Sequence, residues 1–190
     1  MTHLHILNLL AENYGLNSYL EIGVQEPRNN LLRVNCRTKV GVDPAVSHPL
    51  VYRKTSDDFF KTNQQRFDLI FIDGLHAYDQ VKRDFLNSMQ FLNDNGFIVI
   101  HDTLPMNEDT ASVPRKTKMW HGDVYRLVLE LHKYCGYKTI NTDNGCTICW
   151  KQHVDPKGEI PLNWNSFLQH SEYMNIKQPN EVDFRNIRKR

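Results

Sequence analysis

The sequence predicts an α/β protein built on a mostly parallel sheet with helices on both faces. Residues 67–72, FDLIFI, form a nearly continuous apolar run that ends at Asp73, which is the pattern of a strand buried on both faces of a parallel sheet. A second run, GFIVI at residues 96–100, ends at His101 and Asp102. A stretch with helical spacing separates the two runs, so the whole segment is typical of a strand-helix-strand unit.

The helix of this unit is predicted from His76 to Leu92, where apolar residues recur every three or four positions and form one stripe. Residues 93–96 contain the Asn and Gly that suit a turn ending the helix. Both strands end in polar clusters, 73–76 and 101–103. Because parallel strands finish at the same edge of a sheet, we expect the clusters to face each other, where ligands bind in open α/β sheets.

Two elements precede this unit. Leucine and isoleucine spacing predicts a helix over residues 4–14, which we interpret as a packing helix that covers one side of the sheet. Residues 18–24, SYLEIGV, are the first buried strand, with Glu21 and Gly23 near its exit. A glycine there permits a tight turn and the close approach of a ligand. Residues 25–38 contain a short helix at best.

The second strand, residues 39–44, ends in Asp43, which lies 20 residues after the glycine of the first strand. An acid at this place commonly accepts hydrogen bonds from both hydroxyls of a ribose. The alternative is that the Asp-Pro pair only starts a turn. Residues 50–60 indicate a third strand and a helix capped at Ser56 or Asp57. That cap would lie at the ligand edge, within reach of a base or sugar.

The segment after the central unit begins with a long irregular stretch, residues 104–121, whose length suggests a lid over a site. Trp120 and His121 at its end are substrate-side candidates, although an aromatic residue before a helix often only packs. A helix is predicted over residues 123–134. The last two strands form a hairpin through residues 143–145, Asp-Asn-Gly, and give the sheet an antiparallel edge.

The chain of 190 residues is predicted to form one domain over residues 1–151, followed by an extension over residues 152–190. The extension is richer in Pro, Asn, Gln and charge. We expect it to pack loosely on the domain, to be partly disordered, or to complete a contact in a homo-oligomer. Its last residues, RNIRKR, read as a solvated tail.

Composition narrows the function classes. The chain has 23 basic and 22 acidic residues and a net charge of +1, so charge gives no case for nucleic acid or an anionic membrane as partner. No apolar run approaches the roughly 20 residues of a membrane span, and the start lacks the features of a signal peptide. We therefore expect a cytoplasmic protein. Free, mostly buried thiols are expected at the four cysteines, Cys36, Cys135, Cys146 and Cys149.

A family resemblance follows from the order of six segments: YLEIGV, VGVDP, TSDDFF, FDLIFIDGLHAYDQVKRDF, GFIVIHDTLPMNE and WHGDVYRLV. In that order they resemble the class I S-adenosylmethionine-dependent methyltransferases, and most closely the small-molecule O-methyltransferases that act on sugars and glycosylated metabolites. The similarity covers Ser18 to about Lys151. It implies a Rossmann-like, doubly wound sheet of seven strands with the antiparallel edge hairpin already inferred.

The resemblance also implies a set of cofactor-binding residues. Glu21 and Gly23 would line the methionine end, Asp43 the ribose, and Ser56 and Asp57 the adenine. Asp73 belongs to the same implied set. The loop GVQEPRNN departs from the family, because it has one glycine where two or three are usual. Either this loop has an unusual conformation, or cofactor binding is weakened or lost.

Methyl transfer from a sulfonium requires the acceptor oxygen to be held close and its proton to be removed. The candidate catalytic residues are Asp73, His76, His101 and Asp102. Either His76 or His101 acts as a general base, or Asp73, Asp102 and His101 hold a divalent cation. The resembled sugar O-methyltransferases hold Mg²⁺ through acids at these strand ends, but His101 stands where an acid is frequent. The structural alternative is that the two histidines merely start a helix and end a strand.

Other function classes stay open. A nicotinamide-dependent oxidoreductase should show G-x-G-x-x-G after the first strand, and that motif is missing. A metal-dependent hydrolase could use the Asp and His cluster without any nucleoside. A catalytically inactive nucleoside-binding module could keep the fold after losing the glycine-rich loop. The expected substrate is a small molecule, and the resemblance points to a hydroxyl of a sugar or similar polar metabolite.

Overall fold

The computed structural model describes residues 1–188 and contains one mixed sheet of eight strands in the order β3-β2-β1-β4-β5-β7-β6-β8. Neighbouring strands from β3 to β5 are parallel, and β7 runs antiparallel to both β5 and β6. The predicted α/β class is confirmed. The strands are β1 (Ser18–Ile22), β2 (Thr38–Val42), β3 (Val51–Tyr52), β4 (Phe67–Ile72), β5 (Leu92–Ile100), β6 (Gly136–Ile140), β7 (Cys146–Trp150) and β8 (Ile176–Lys177).

Helices cover the two faces of this sheet. Short 3-10 turns follow the fourth helix, at Leu131–Lys133, and precede the end of the described chain, at Pro179–Glu181. The α-helices are α1 (His3–Tyr14), α2 (Ser56–Thr62), α3 (Tyr78–Phe91), α4 (Tyr125–Glu130), α5 (Trp164–Gln169) and α6 (Ser171–Met174).

The two apolar faces of the central strands build two cores. Leu20, Ile70 and Ile98 point to one face and join the core under α3 and α4. Tyr19, Leu69 and other residues on the opposite face join the core under α1. Successive side chains of a strand point to opposite faces, so β1, β4 and β5 need apolar residues at nearly every position. This is why they read as continuous apolar runs.

Helix α1 has a well-defined beginning and end. The side chain of Thr2 accepts a hydrogen bond from the His5 N–H, and Gly15 ends the helix in the left-handed conformation with φ 62°. Both are common capping devices. Four residues of one stripe are buried: Ile6, Leu7, Leu10 and Ala11. The predicted packing role is therefore present, but the first turn of α1 also reaches the ligand edge.

Several predicted boundaries differ from the structure. Residues 25–37 form turns without a helix, and the helix predicted over residues 123–134 is a short α4 followed by a 3-10 turn. Residues 93–96, predicted as a turn, belong to β5, because α3 passes directly into the strand. Gly96 permits this close packing, since a Cβ there would lie 2.6 Å from the backbone oxygen of Asp68.

The sheet has one strand more than the seven expected. The extra strand, β8, comes from the extension after residue 151 and pairs in parallel with β6. Met174 and Ile187 of this extension are 0% exposed. Ile187 contradicts the prediction of a solvated RNIRKR tail, because its side chain packs in the core under α1. Residues 189 and 190, the end of that tail, lie outside the described residues.

All four cysteines are free and buried, as predicted. Cys146 and Cys149 point to opposite sides of β7, since each belongs to a different core. Within residues 1–188, no helix has the length and apolar character that crossing a membrane would require.

Candidate active site

The ligand edge forms where β1 and β4 end. Gly23 follows β1 with φ 84°, and a Cβ on it would lie 2.3 Å from the backbone oxygen of Asp73. The two strand exits therefore cross in contact, and only glycine fits there. Gly23 also donates its N–H to the Val42 oxygen at 2.9 Å, which ties this exit to β2.

A cavity of about 1420 Å³ opens at this edge. It exceeds the roughly 300–1,000 Å³ of common ligand pockets, so it has room for two ligands side by side. One part of its wall comes from the exits of β1 and β2 and the start of α2, and the other from the exits of β4 and β5. Of the residues singled out from the sequence, those lining it are Gly23, Asp43, Ser56, Asp57, Asp73, His76, His101, Asp102 and Trp120.

Asp43 lies at the end of β2 in the wall of the cavity. One carboxylate oxygen accepts the N–H groups of Ala45 and Val46 at 2.8 and 3.2 Å. The other accepts the N–H of Gln25 at 3.0 Å. The Asp43 carboxylate thus starts a turn, and it also lies in the cavity wall, where it could contact a ribose. The two predictions made for Asp43 are therefore compatible with each other.

The start of α2 lines the cavity beside Asp43. The helix is capped by Thr55, whose hydroxyl accepts from the Asp58 N–H, and not by Ser56 or Asp57 as predicted. Gln80 of α3 donates to the Ser56 hydroxyl at 3.2 Å and to an Asp57 carboxylate oxygen at 3.3 Å. The two side chains are therefore held at the cavity by α3 and are not needed as caps.

Glu21 is placed differently from the other predicted binding residues. It is 0% exposed and does not line the cavity. Tyr19 donates its hydroxyl to Glu21 at 2.8 Å within the core. Burial, opposed by this hydrogen bond and reinforced by the charge of Asp73, raises the pKa of Glu21 to about 8. Glu21 thus lies behind the cavity wall, and in this conformation it offers no group to a ligand.

His76 lies between two carboxylates. Its Nε2 is 3.3 Å from an Asp73 oxygen, and its Nδ1 is 3.3 Å from an Asp102 oxygen. Burial alone would lower the pKa of His76, but the two carboxylates, Asp73 first, raise it on balance. Trp120 stacks on the His76 ring with centroids 5.4 Å apart. The end of the 104–121 segment therefore packs directly on the His76 ring.

His101 is more buried and touches three acids. Its Nδ1 is 3.2 Å from Asp73 and 3.7 Å from Asp102, and its Nε2 is 3.7 Å from Asp143. Burial alone would lower the pKa of His101, but the carboxylates, Asp143 and Asp73 first, raise it to about 10. For Asp73, burial acts upward, yet its hydrogen bonds to His101 and His76 lower the pKa to about 2.

Asp102 has a strained backbone with φ 55°, a conformation uncommon for residues other than glycine. Its side chain is 8% exposed, and one carboxylate oxygen has no hydrogen-bond partner among the described residues. Burial raises the pKa of Asp102, against the charges of His101 and His76, which lower it. Strain and an unpartnered carboxylate oxygen at one cavity residue are typical of functional sites.

The oxygen and nitrogen atoms of Asp73, His76 and Asp102 lie within 4.8 Å of one another and could hold a metal ion. The sequence pointed to Asp73, Asp102 and His101 for that role. In the structure the imidazole grouped with these two carboxylates is that of His76, which is nearer to Asp102 than His101 is, at 3.3 Å against 3.7 Å. His101 belongs to a second group with His3 and Asp143. The first group, with two carboxylates and one imidazole, suits Mg²⁺ better than the second group, with one carboxylate and two imidazoles, because Mg²⁺ prefers oxygen ligands.

Three further residues of the site were missed from the sequence. His3 at the start of α1, Asn30 in the loop after β1 and Asp143 in the hairpin turn all line the cavity. His3 contacts Asp143 and Asn30 directly. The one available signal was the repeated histidine in the segment MTHLHIL, which does not by itself indicate a site. His121, predicted on the substrate side, is 1% exposed and lies behind the wall.

Residues 12–103 match a family described as a methyltransferase domain. No curated protein sequence matches the chain. Among solved structures, the S-adenosylhomocysteine-bound methyltransferase PaMTH1 of Podospora anserina has a TM-score of 0.56 at 14% identity, covering 76% of each chain. The O-methyltransferase TomG of Streptomyces achromogenes, solved with S-adenosylmethionine, has a TM-score of 0.54 at 15% identity, covering 79% of each.

The methyltransferase MycE was solved with Mg, S-adenosylhomocysteine and mycinamycin VI. It has a TM-score of 0.53 at 16% identity, and the match covers 83% of this chain and 50% of MycE. At these identities the solved structures show that this chain shares their fold, and the family match shows that residues 12–103 resemble a methyltransferase domain.

Proposed function

We propose that this protein transfers the methyl group of S-adenosylmethionine to a hydroxyl of a sugar or another small polar metabolite. One observation carries the proposal: the group formed by Asp73, His76 and Asp102 faces the same cavity as Gly23 and Asp43. A cofactor site and an acid-base group therefore share one space. Such sharing suits a transfer between two bound molecules, which must be held within a few ångströms of each other.

The cofactor would lie along the wall from Gly23 to the start of α2. Asp43 would accept from the ribose hydroxyls, and Ser56 and Asp57 would contact the adenine. Gly23 leaves space for the backbone to approach the methionine end, next to Asp73. When bound, S-adenosylmethionine supplies an electrophilic methyl group on a sulfonium. The single glycine of the loop is compatible with this, because it stands where an added Cβ would lie 2.3 Å from the backbone oxygen of Asp73.

The acceptor hydroxyl must lose its proton as the new bond forms. His76 is the base we infer, because it lines the cavity and the nearby Asp73 and Asp102 carboxylates would stabilise the positive charge that its ring gains with the proton of the hydroxyl. His101, whose pKa is raised to about 10, keeps its proton at neutral pH in this structure. It therefore serves to hold Asp73 and to offset the negative charge of the carboxylates, not to accept the proton.

A divalent cation is the other way to acidify the hydroxyl. Asp73, Asp102 and His76 would hold it, and the donor set fits Mg²⁺ through its two carboxylates. The presence of Mg in the MycE structure supports this variant of the proposal. In that case the cation lowers the pKa of the hydroxyl, while the protein fixes the position of the oxygen.

The rest of the cavity wall supports a polar acceptor. It mixes amides, hydroxyls and imidazoles with one aromatic ring, a surface suited to hydrogen bonding with a polyhydroxylated molecule. Mycinamycin VI in the MycE structure supports an acceptor that is larger than a simple sugar. The residues that give this wall its polar character include Asn8, Asn29, Asn30, Asn144, Arg115 and Trp120.

A location in the cytoplasm belongs to the same proposal. It is supported by four cysteines that are all free and buried, because disulfides persist mainly in oxidising compartments.

Calorimetric titration of S-adenosylmethionine into the protein tests the cofactor part. We expect one-to-one binding that Asp43→Ala abolishes, because the ribose loses its acceptor. The control is Asp155→Ala, which removes an acid whose side chain is fully exposed. Absence of binding to the unaltered chain, with and without Mg²⁺, would contradict the proposal and favour a hydrolase or an inactive nucleoside-binding module.

Release of S-adenosylhomocysteine in the presence of candidate acceptors tests the transfer. Glycosylated small molecules with free hydroxyls should support release, and His76→Ala should lower kcat by about 10²- to 10⁴-fold with cofactor affinity unchanged. If Mg²⁺ is needed, a chelator will stop release and added Mg²⁺ will restore it. Turnover with amine acceptors alone would refute hydroxyl transfer.

A further inference from the structure

A second group of potential ligands lies beside the candidate active site. It consists of His3, His101 and Asp143, which we name the His3–Asp143 cluster. Their nitrogen and oxygen atoms lie within 4.8 Å of one another. They come from the first turn of α1, the end of β5 and the hairpin turn between β6 and β7, and all three line the cavity. The group is distinct from Asp73, His76 and Asp102, which share no residue with it.

His101 has one nitrogen oriented and one unpartnered. Its Nδ1 lies 3.2 Å from an oxygen of Asp73, whereas its Nε2 is buried without a hydrogen-bond partner among the described residues. The residue is 9% exposed, and Nε2 points toward Asp143 at 3.7 Å. A histidine that donates one N–H to a carboxylate and presents its other nitrogen to a cavity has the arrangement of a metal ligand.

His3 repeats that arrangement. Its Nε2 lies 2.9 Å from the Asn30 amide oxygen, which can only accept, so Nε2 carries a proton. Its Nδ1 is turned toward Asp143, 2.5 Å from a carboxylate oxygen. The ring is fixed further by stacking on Phe71, with centroids 5.3 Å apart. Both histidines of the cluster therefore have an outer partner on one nitrogen and face Asp143 with the other.

Asp143 is held in place by the turn and by α1. The same oxygen that faces the two imidazoles accepts the backbone N–H of His3 at 2.8 Å. The residue has φ 51°, the left-handed conformation that Asp tolerates in tight hairpin turns. The carboxylate thus cannot turn away without losing a contact that ties α1 to the hairpin.

We propose that the His3–Asp143 cluster binds a divalent transition-metal ion such as Zn²⁺. Two imidazoles and one carboxylate are ligands that suit Zn²⁺ and its first-row neighbours, whereas Mg²⁺ prefers oxygen. Because the three residues line the cavity, the fourth position of a tetrahedral ion would be open to a bound molecule. An imidazole nitrogen must be unprotonated to bind a metal ion, so we expect ion binding to weaken at low pH.

The inference does not depend on methyl transfer. The bound ion would join α1 to the β6–β7 turn and fix the part of the cavity wall that these two elements form. If the methyl-transfer proposal failed, this cluster would still bind the ion. If the cluster failed to bind, cofactor binding at Asp43 would be unaffected.

Zn²⁺ titration of the untagged protein tests the proposal by calorimetry. The parent carries Asp102→Asn, which disables the Asp73, His76 and Asp102 group so that one candidate site remains among residues 1–188. We expect one Zn²⁺ per chain. His3→Ala should weaken binding by more than the roughly 10- to 100-fold that loss of an outer partner costs, and His5→Ala should leave it unchanged. His5 is the matched control, because it lies two residues from His3, is outside the cluster, and has a ring nitrogen 2.9 Å from the Thr2 hydroxyl.

Two further measurements keep the test decisive. Co²⁺ in place of Zn²⁺ should give visible absorption typical of a tetrahedral site, lost in the His3→Ala variant. If His3→Ala perturbs the fold, as judged by circular dichroism, Asp143→Asn serves instead, since Asn suits the same turn. Equal Zn²⁺ affinity in the His3→Ala, Asp143→Asn and His5→Ala variants, or no binding to the parent, would overturn the proposal.

Discussion

Gly23 lies where the exits of β1 and β4 cross. Any other residue there would be disfavoured twice, by the positive φ of 84° and by a Cβ placed 2.3 Å from the backbone oxygen of Asp73. Gly15 has a similar φ of 62° but open space around its Cβ. Substituting Gly15 therefore measures the cost of a positive φ alone, whereas substituting Gly23 adds a steric clash to that cost.

We expect Gly15→Ala to lower the free energy of unfolding by about 1–2 kcal/mol, the cost of a left-handed L-residue. Gly23→Ala should cost clearly more and should also abolish cofactor binding, because the exits of β1 and β4 must move apart. Urea unfolding of both variants measures the first effect and calorimetry the second. Equal destabilisation by the two substitutions would show that the crossing is not tight.

Glu21 gives the fold a dependence on pH. Its carboxyl is buried, and its pKa is raised from 4.5 to about 8. The folded state therefore holds a proton that the unfolded chain releases above pH 4.5. By linkage, this group contributes stability that is fully present below pH 4.5 and is lost as pH rises toward 8.

We therefore expect Glu21→Gln to flatten the fall in unfolding free energy between pH 5 and pH 8. Gln keeps a side chain of the same shape that carries no charge. Urea unfolding at several pH values measures the slope for both proteins. Glu12→Gln, on the exposed face of α1, should leave the slope as it is. An unchanged slope in Glu21→Gln would mean that Glu21 is ionised in the fold.

The site residues that could be predicted from the sequence are polar residues at the ends of strands. Asp43, Asp73, His76, His101 and Asp102 follow or end strands with strong local patterns, and the edge rule brings them together. Nothing local relates His3 to Asp143, which are 140 positions apart. The inward position of Glu21 was readable in principle, since residues two apart in a strand share a face and Tyr19 is a core residue.

Helix α2 illustrates how an element positions the adenine side of the proposed site. It has seven residues, and helices this short form only with support from tertiary packing. Its support consists of buried Phe59 and Phe60 and the cap at Thr55. The sequence predicted this helix but assigned the cap one or two residues late, because Ser56 and Asp57 are themselves good capping residues.

We expect Thr55→Ala to lower the free energy of unfolding by about 1 kcal/mol, since the N–H of Asp58 loses its partner. Cofactor affinity should fall as well, because the start of α2 lines the cavity. Thr55→Ser is the control that keeps the hydroxyl and should restore both quantities. Chemical unfolding and cofactor titration provide the measurements. If Thr55→Ala matched Thr55→Ser in stability, the cap would be dispensable.

The whole molecule depends on the segment after residue 151 more than its composition suggests. Polar residues dominate that segment, so its pattern predicted a loosely packed extension. Scattered apolar side chains nevertheless enter both cores, Met174 in one and Ile187 in the other. Isolated anchors of this kind have no periodicity, so sequence pattern does not reveal them.

We expect a chain ending at residue 151 to lose most of its stability. Each fully buried apolar side chain contributes roughly 1.5–3 kcal/mol, against a typical total of about 5–15 kcal/mol. Thermal unfolding followed by circular dichroism measures the loss. Met174→Ala and Leu168→Ala form a matched pair, because Met174 is 0% and Leu168 61% exposed. A residue 1–151 chain that unfolds at the same temperature as the 190-residue chain would refute this expectation.

The contact between His3 and Asp143 has a consequence for the order of synthesis. The residues proposed to hold the cofactor, Gly23 to Asp73, emerge from the ribosome early. His3 emerges before them, but its partner in the hairpin turn follows 140 residues later. A nascent chain could therefore assemble the cofactor side first, and the opposite wall would close only once the hairpin had been translated. The pocket is thus complete only after the antiparallel β6–β7 edge of the sheet has formed.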